Sequence, residues 1–505
     1  MLRKLRIFFA SLFFVGFALL FLDLSGFLHT YLSWLARTQL STAILSANVV
    51  VLVALLLLTL LCGCVYCSVL CPLGLMQDLC THLSRRWHKH RFHYRKPHTV
   101  LRYVVLALFV VAVIIGFGAL AALIDPYGLF GRIATNLFQP IYIGLNNLLA
   151  LLAEHLGSYA FYHVDVWVSL SASLLVAILS FLLIAFLAVR YGRLWCNTIC
   201  PIGSLLGLLS RFAIFKPVIN SSKCIGCSKC ANHCRSSCIN PLNRSIDYSR
   251  CVACMDCISQ CHAGAISLKA SLPFSSSRKG SDTAAVALNE CSSQPADPSR
   301  RRFITTSAMV AAGAAVASHA QAVEGGLAVI EDKRVPLRKT PLIPFGSLSL
   351  EHFTSKCCSC QLCVSECPSH ILKPSSSFSS FLQPHIDYSN GLCPPSCTRC
   401  SHVCPTSAIS PIDAAAKSAI SIGFAVVLLD NCLAYRDGVS CDACSRHCPA
   451  AAIHLVPKDP TAVTSPMIPA VDENRCLGCG ACEYYCPSRP FSAIYVEGRE
   501  VHSSC

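Results

Sequence analysis

A helical membrane domain of about four spans, followed by small α+β modules wrapped around cysteine, is the fold class this sequence predicts. Three observations predict it. Apolar residues fill 54% of the 505 positions and charged residues only 13%. Most of the long apolar runs lie before Arg193. Beyond that point cysteine takes over: the chain has 35, and 24 of them form six sets of four that each close on the same C-x2-C-x3-C run.

The first two sets are Cys224, Cys227, Cys230 and Cys234, then Cys251, Cys254, Cys257 and Cys261. The third is Cys357, Cys360, Cys363 and Cys367, and the fourth opens wider with Cys393, Cys397, Cys400 and Cys404. The fifth opens wider still, with Cys432, Cys441, Cys444 and Cys448, and the sixth is Cys476, Cys479, Cys482 and Cys486. C-x2-C-x2-C-x3-C is the ligand spacing of bacterial [4Fe–4S] ferredoxins, where three close thiolates hold one cube and the fourth reaches a neighbouring cube. Six sets therefore predict six [4Fe–4S] clusters in α+β bacterial-type ferredoxin modules, and a row of cubes conducts electrons. Zinc is usually held by two separated C-x2-4-C pairs. Disulfides need an oxidising compartment and follow no such spacing. A proline follows the last cysteine in sets three to six (Pro368, Pro405, Pro449, Pro487), whereas sets one and two have Arg235 and His262 there.

A helix that spans a bilayer takes about 20 apolar residues. Segments 7–27, 43–61, 100–124 and 166–189 are long enough, which defines a four-span membrane domain over 1–210. Segment 134–156 is apolar too, but Gln139, Asn146, Asn147 and Glu154 interrupt it, and an interfacial or partly buried helix is expected there. Arg3, Lys4 and Arg6 precede span one; Arg85, Arg86, Lys89, Arg91, Arg95 and Lys96 follow span two. The loop after span three has Arg132 against Asp125, Glu154 and Asp165. The positive-inside rule then places both ends of this half in the cytoplasm. The formal charge of +15 does not call for nucleic acid, because six oxidised cubes at about −2 each would offset roughly 12 of it.

Spans two and four end in matching motifs, Cys67-x3-Cys71-Pro72-x-Gly74 and Cys196-x3-Cys200-Pro201-x-Gly203, which suggests an internal repeat. Four-residue spacing puts each cysteine pair on one helix face if the helix continues. These four read as redox or metal-linked thiols at the membrane surface, or as small buried thiols packed between helices. His29, His155 and His163 are expected near the outer surface, where a protonatable group could take a proton.

Residues 211–270 form a compact two-cluster module. Crossed ligation would give Cys224, Cys227, Cys230 and Cys261 one cube, and Cys251, Cys254, Cys257 and Cys234 the other; Cys238 is the rival ligand. Ile246-Asp247-Tyr248-Ser249 returns as Ile386-Asp387-Tyr388-Ser389, so the later module repeats the same unit. Residues 271–298 read as a flexible Ser-, Gly- and Ala-rich linker. In 299–322, Arg300-Arg301-Arg302-Phe303, an Ala-rich apolar run and Ala320-Gln321-Ala322 resemble an internal twin-arginine signal or form an anchor. That route carries folded proteins, so clusters assembled in the reducing cytoplasm could travel in place. Residues 345–500 hold the last four sets as an exported module, with their pairing open.

Two C-x3-C-P motifs at helix ends, followed by two ferredoxin sets, resemble the NapH/MauN membrane ferredoxin family over about residues 1–270. Set openings of C-x2-C, C-x3-C, C-x8-C and C-x2-C behind a twin-arginine-like signal resemble the NapG/MauM family of exported four-cluster ferredoxins over 299–500. The resemblance implies a fusion of the two in a bacterial inner membrane, with the last module periplasmic. It implies a quinol dehydrogenase component that draws on the membrane quinone pool and serves a periplasmic acceptor such as a cytochrome or reductase. In the first family the C-x3-C-P cysteines are implicated in electron transfer. Two other readings stay open: a conduit without its own quinol site, and a metal-centre assembly or maturation factor in which Cys67, Cys71, Cys196 and Cys200 handle Cu(I). The sequence names no catalytic residue. It has no G-x-G-x-x-G fingerprint and no flavin-attachment motif of the NosR kind, which argues against a self-contained NADH or flavin reductase.

Overall fold

Runs of Leu, Val, Phe and Ile with few breakers make helices the only regular elements among the described residues of 2–210. The computed structural model describes residues 2–23, 26–87, 91–157, 161–164, 172–270, 333–461 and 465–504. The linker 271–298, the arginine-rich segment 299–322 and the start of the fourth expected span (166–171) lie outside the described residues.

The helices are α1 (Leu2–Leu22), α2 (Phe27–Arg37), α3 (Leu40–Leu45), α4 (Val49–Cys62), α5 (Pro72–Trp87), α6 (Thr99–Ile115), α7 (Gly118–Ile124), α8 (Pro126–Ile133), α9 (Gln139–His155), α10 (Ala172–Tyr191), α11 (Leu194–Thr198) and α12 (Pro201–Ser210). Among the described residues only α1 and α10 are long and apolar enough to cross a membrane, two helices rather than the four expected. Span two is shortened because the Asn48 side chain accepts a hydrogen bond from Val51 N at 3.3 Å and caps α4 there, leaving the residues before it to form α3. Span three breaks at Gly116, whose left-handed φ of 81° separates α6 from α7. Helices α8 and α9 are joined by a π-helical turn (Ala134–Phe138). The polar residues of α9 have a local use: the Asn147 amide bonds both N and O of Val164, at 2.9 and 2.7 Å.

The outer faces of these helices are apolar. Phe8 and Leu12 on α1, Val50 and Leu57 on α4, Leu108 and Ile114 on α6, and Leu179 and Phe186 on α10 are all exposed. Soluble monomers rarely carry so much exposed apolar surface.

The cysteine-rich regions fold as α+β modules of short helices and two-stranded antiparallel ribbons. In the first, β1 (Phe215–Ile219) pairs with β4 (Ile266–Ala270), and β2 (Ile239–Asn240) with β3 (Ser245–Ile246). In the second, β5 (Leu372–Pro374) pairs with β6 (Pro384–Ile386), β7 (Ile420–Val427) with β10 (Ile494–Ser504), and β8 (Ile453–Pro457) with β9 (Met467–Val471). The repeated tetrapeptide occupies the same place in both. Asp247 Oδ1 accepts from Ser249 N at 3.0 Å and Asp387 Oδ1 from Ser389 N at 2.9 Å, each just after a ribbon.

The helix ends fix where the modules sit. At the start of α1, Arg3 Nε meets Asp256 of the first module at 2.9 Å. Just past its other end, Gly26 lies against Glu366 and Arg399 of the second. Helix α10 runs the opposite way: Ser173 near its start accepts from Gln361 Nε2 at 2.7 Å, and Arg193 N past its end donates to Arg235 O at 2.8 Å. Arg102 in α6 donates to Ser249 O at 2.8 Å, while Gly116 and Gly118 beyond the far end of α6 lie against Ser355 and Thr354. The two modules therefore cap opposite ends of the helices, separated by the length of α1, about 30 Å at 1.5 Å per residue.

Candidate metal centres

Four of the cysteine loops share one backbone plan. Between the first three cysteines of a C-x2-C-x2-C run, two residues take left-handed φ at the same two places. They are Gly226 and Ser228, Ala253 and Met255, Ser359 and Gln361, and Gly478 and Gly480. Alternating handedness turns successive N–H groups toward one centre, the nest geometry of many iron–sulfur sites. Sets four and five, with wider openings, do not repeat it.

The structure brings the fourth cysteines across. Cys234 lines one small cavity with Cys251, Cys254 and Cys257, as the crossed scheme expects; that scheme leaves Cys261 to Cys224, Cys227 and Cys230. Cys238 Sγ stands 3.5 Å from Cys234 Sγ on the same cavity wall. In the second module Cys404 is an electrostatic neighbour of Cys357 and Cys363, and Cys367 shares a cavity with Cys393, Cys397 and Cys400. Cys486 shares one with Cys432, Cys441 and Cys444, and Cys448 neighbours Cys479 and Cys482. The pairing left open by the sequence is thus third with fourth and fifth with sixth.

The donor chemistry fits cubes. Burial pushes the Cys444 and Cys479 thiols up to about 11, so a thiolate there needs a compensating cation. Backbone N–H groups already point at the last sulfurs: Ala265 N to Cys261 at 3.2 Å, Ile409 N to Cys404 at 3.5 Å, Ala452 N to Cys448 at 3.3 Å and Ala493 N to Cys486 at 3.3 Å. Each donor belongs to a buried Ala-Ile pair that anchors the loop. Lys417 Nζ adds a positive charge 3.1 Å from Cys393 Sγ. Among the described residues, no three His, Cys, Asp or Glu side chains converge at single-ion spacing. A four-iron cube holds its thiolates farther apart than a zinc ion does with its Zn–S bonds of about 2.3 Å.

The sets form a row. Cys360 lies against α8, where a Cβ on Gly131 would collide with its carbonyl. Cys363 neighbours Cys400 of the next set, and Cys393 N donates to Cys479 O at 3.1 Å. The order outward from the helices is therefore the set of Cys357, that of Cys393, that of Cys476 and that of Cys432. In the first module, Val252 and Cys254 pack on the helical core, while Cys227 is exposed.

Between the modules lie the C-x3-C-P cysteines, all four buried. Cys71, Cys196 and Cys200 are within electrostatic reach of one another, and Cys67 of Cys71 and Cys196. The two motifs share a contact: a Cβ on Gly74 would strike the Cys67 carbonyl, and one on Gly203 the Cys196 carbonyl. Cys64 Sγ lies 3.1 Å from Cys67 Sγ. Arg193 bonds the Cys67 carbonyl and pairs with Asp78 at 2.8 Å, which also holds Arg235 at 3.0 Å. This links the thiols to Cys234, the neighbour of Arg235 in the chain. On the other side, Asp125 is an electrostatic neighbour of Cys71, Cys200, Cys358 and Cys360.

His29 is buried, with Nδ1 3.2 Å from Asp23 and 3.0 Å from Glu366, so it joins the helices to the second module. His155 and His163 are brought to none of the cysteine sets. Sequence reasoning missed Asp125, Lys417 and the N–H donors; only the Ala-Ile pairs left a trace in the chain.

A family model described as a 4Fe-4S binding domain matches residues 47–90 and again 173–220. The doubled match covers both C-x3-C-P segments, in agreement with the internal repeat. A 4Fe-4S dicluster domain matches 439–489. The methylamine utilization ferredoxin-type protein MauM of Methylophilus methylotrophus is 35% identical over 171 residues, 32% of this chain and 72% of that protein. The ferredoxin-type protein NapG of Escherichia coli K12 is 31% identical over 201 residues, 37% of this chain and 80% of that protein. NapF of the same strain is 30% identical over 146 residues, 29% and 79%. No solved structure matches the chain.

Proposed function

The chain belongs to the family of ferredoxin-type proteins that includes MauM, NapG and NapF, and from that premise we propose that it carries electrons from membrane quinol to a periplasmic acceptor. In this reading it is a fusion: a NapH/MauN-like membrane half, in which α1 and α10 are the helices long enough to cross, and a NapG/MauM-like exported half. Six [4Fe–4S] clusters sit in the crossed cysteine sets, two inside and four outside a bacterial inner membrane. Segment 299–322 serves as the twin-arginine-like signal or anchor between them.

The observation that carries the reading is the placement of the two modules at opposite ends of α1 and α10, with buried cysteines between. Bound cubes supply one-electron acceptors whose potentials depend on charge and hydrogen bonds to sulfur. The chain's own residues do the rest. Left-handed loop positions aim N–H groups inward, Ala265, Ile409, Ala452 and Ala493 donate to sulfur, and Lys417 offsets charge at Cys393. The apolar helices exclude water between the ends.

The test is anaerobic reduction of the purified chain by a short-chain quinol, read by EPR with no partner present. Cluster signals support a quinol dehydrogenase; their absence, with dithionite still giving them, supports the bare conduit instead. A maturation factor is favoured only if copper binds at Cys67, Cys71, Cys196 and Cys200.

A further inference from the structure

One cavity lies outside every cysteine set. It has a volume of about 230 Å³ and is enclosed by α6, α7, α12 and the end of α3. Its walls are almost wholly apolar, with Phe109, Val113, Ala122 and Leu205 facing one another. Val110 and Ile114, on its rim, are also exposed on the apolar outer face of α6, so the mouth is reached from the lipid side. A cavity of roughly 150 Å³ takes up a benzene ring, and this one has room for a substituted ring.

The inner end is different. Ser41, Asp125, Cys357 and Cys358 close it. Asp125 is 2% exposed and Ser41 4%. Asp125 Oδ2 accepts from Gly128 N at 2.7 Å and caps α8. Its other oxygen, Oδ1, and Ser41 Oγ are buried without a hydrogen bond of good geometry among the described residues; the two side chains face each other, and the Tyr127 N–H is the other donor near the carboxylate. Buried polar atoms are nearly always satisfied, so a carboxylate oxygen and a hydroxyl that hold each other only loosely at the polar end of an apolar cavity leave a place for an entering donor. A partner that fits is mostly apolar, carries a hydroxyl that can donate, and arrives from lipid. Cys357, a member of the innermost cysteine set of the second module, forms part of the same wall.

We propose that this cavity binds the quinol headgroup, with one ring hydroxyl donating to Asp125 Oδ1 beside Ser41 and the ring against Cys357. The inference rests on the quinol reading above and adds to it a place. Pro201 and Ile202 also line the cavity, so the ring lies between the Cys200 motif and the second module, next to both halves of the row.

The test uses the full-length chain in detergent with its clusters, and equilibrium binding of two probes, a decyl-benzoquinone and a short-chain naphthoquinone. The variants are Asp125→Asn, in which asparagine still caps α8, and Val110→Trp, which fills the mouth from the exposed rim. Iron content and helical circular dichroism are measured for each. The expected result is one probe per chain, with affinity at least tenfold weaker in both variants at unchanged iron and helix content. If a variant loses iron or helix, Ser41→Ala replaces it under the same criterion. Wild-type affinity in well-folded variants overturns the cavity while leaving quinol oxidation standing. If the unaltered chain binds neither probe, the quinol reading itself fails.

Discussion

Cys404 stands in sequence with Cys393, Cys397 and Cys400, but in space with Cys357 and Cys363. Replacing it by serine should therefore disturb the cube nearest the helices and spare its sequence neighbours. Mössbauer spectra and iron analysis should show about four irons altered, with the set of Cys393 intact. Lys417 offers a finer test. Its ammonium lies 3.1 Å from Cys393 Sγ, and Lys417→Gln removes a charge that favours the oxidised form less than the reduced one. Charge-assisted hydrogen bonds are worth about 1.5–3 kcal/mol. At 59 mV per tenfold for one electron, one midpoint potential should fall by up to roughly 130 mV in a redox titration. The cysteines were legible because their spacing is local. Lys417 was not, since nothing in Ala414-Ala415-Ala416-Lys417 hints that its side chain folds back 24 residues onto a sulfur.

At the scale of elements, helix α8 meets the second module through small residues. A Cβ on Gly128 or Gly131 would strike the carbonyls of Cys358 and Cys360, so backbone packs directly on backbone. Gly131→Leu should force these apart, at about 1–3 kcal/mol for an overpacked contact. Hydrogen exchange should show faster opening of 357–363, while the first module keeps its protection. Hydropathy read the helices as apolar but misjudged their lengths, because a window average does not register one capping side chain at Asn48 or one left-handed residue at Gly116. The crossed pairing was legible in the first module, where two similar sets lie close together. In the second it was not, because the widened openings of sets four and five hide which sets are partners; contacts such as Cys393 N to Cys479 O connect the two pairs.

At the scale of the whole molecule the cysteine sets follow one order: the set of Cys224, with Cys227 exposed, the set of Cys251, the buried C-x3-C-P thiols, the set of Cys357, and then those of Cys393, Cys476 and Cys432. If each set holds a cube, the purified chain carries roughly 24 irons at four per cube, and zinc or much less iron contradicts that count. The proposed sidedness rests on the opposed modules at the ends of α1 and α10. The most direct test puts the chain in sealed proteoliposomes with a long-chain quinol in the bilayer and an impermeant acceptor, ferricyanide, on one face at a time. The account predicts quinol-dependent reduction of ferricyanide at the face that carries residues 333–504, and a large loss of that rate in Cys404→Ser. Equal rates at that face with and without quinol, or a rate unchanged by Cys404→Ser, would contradict it.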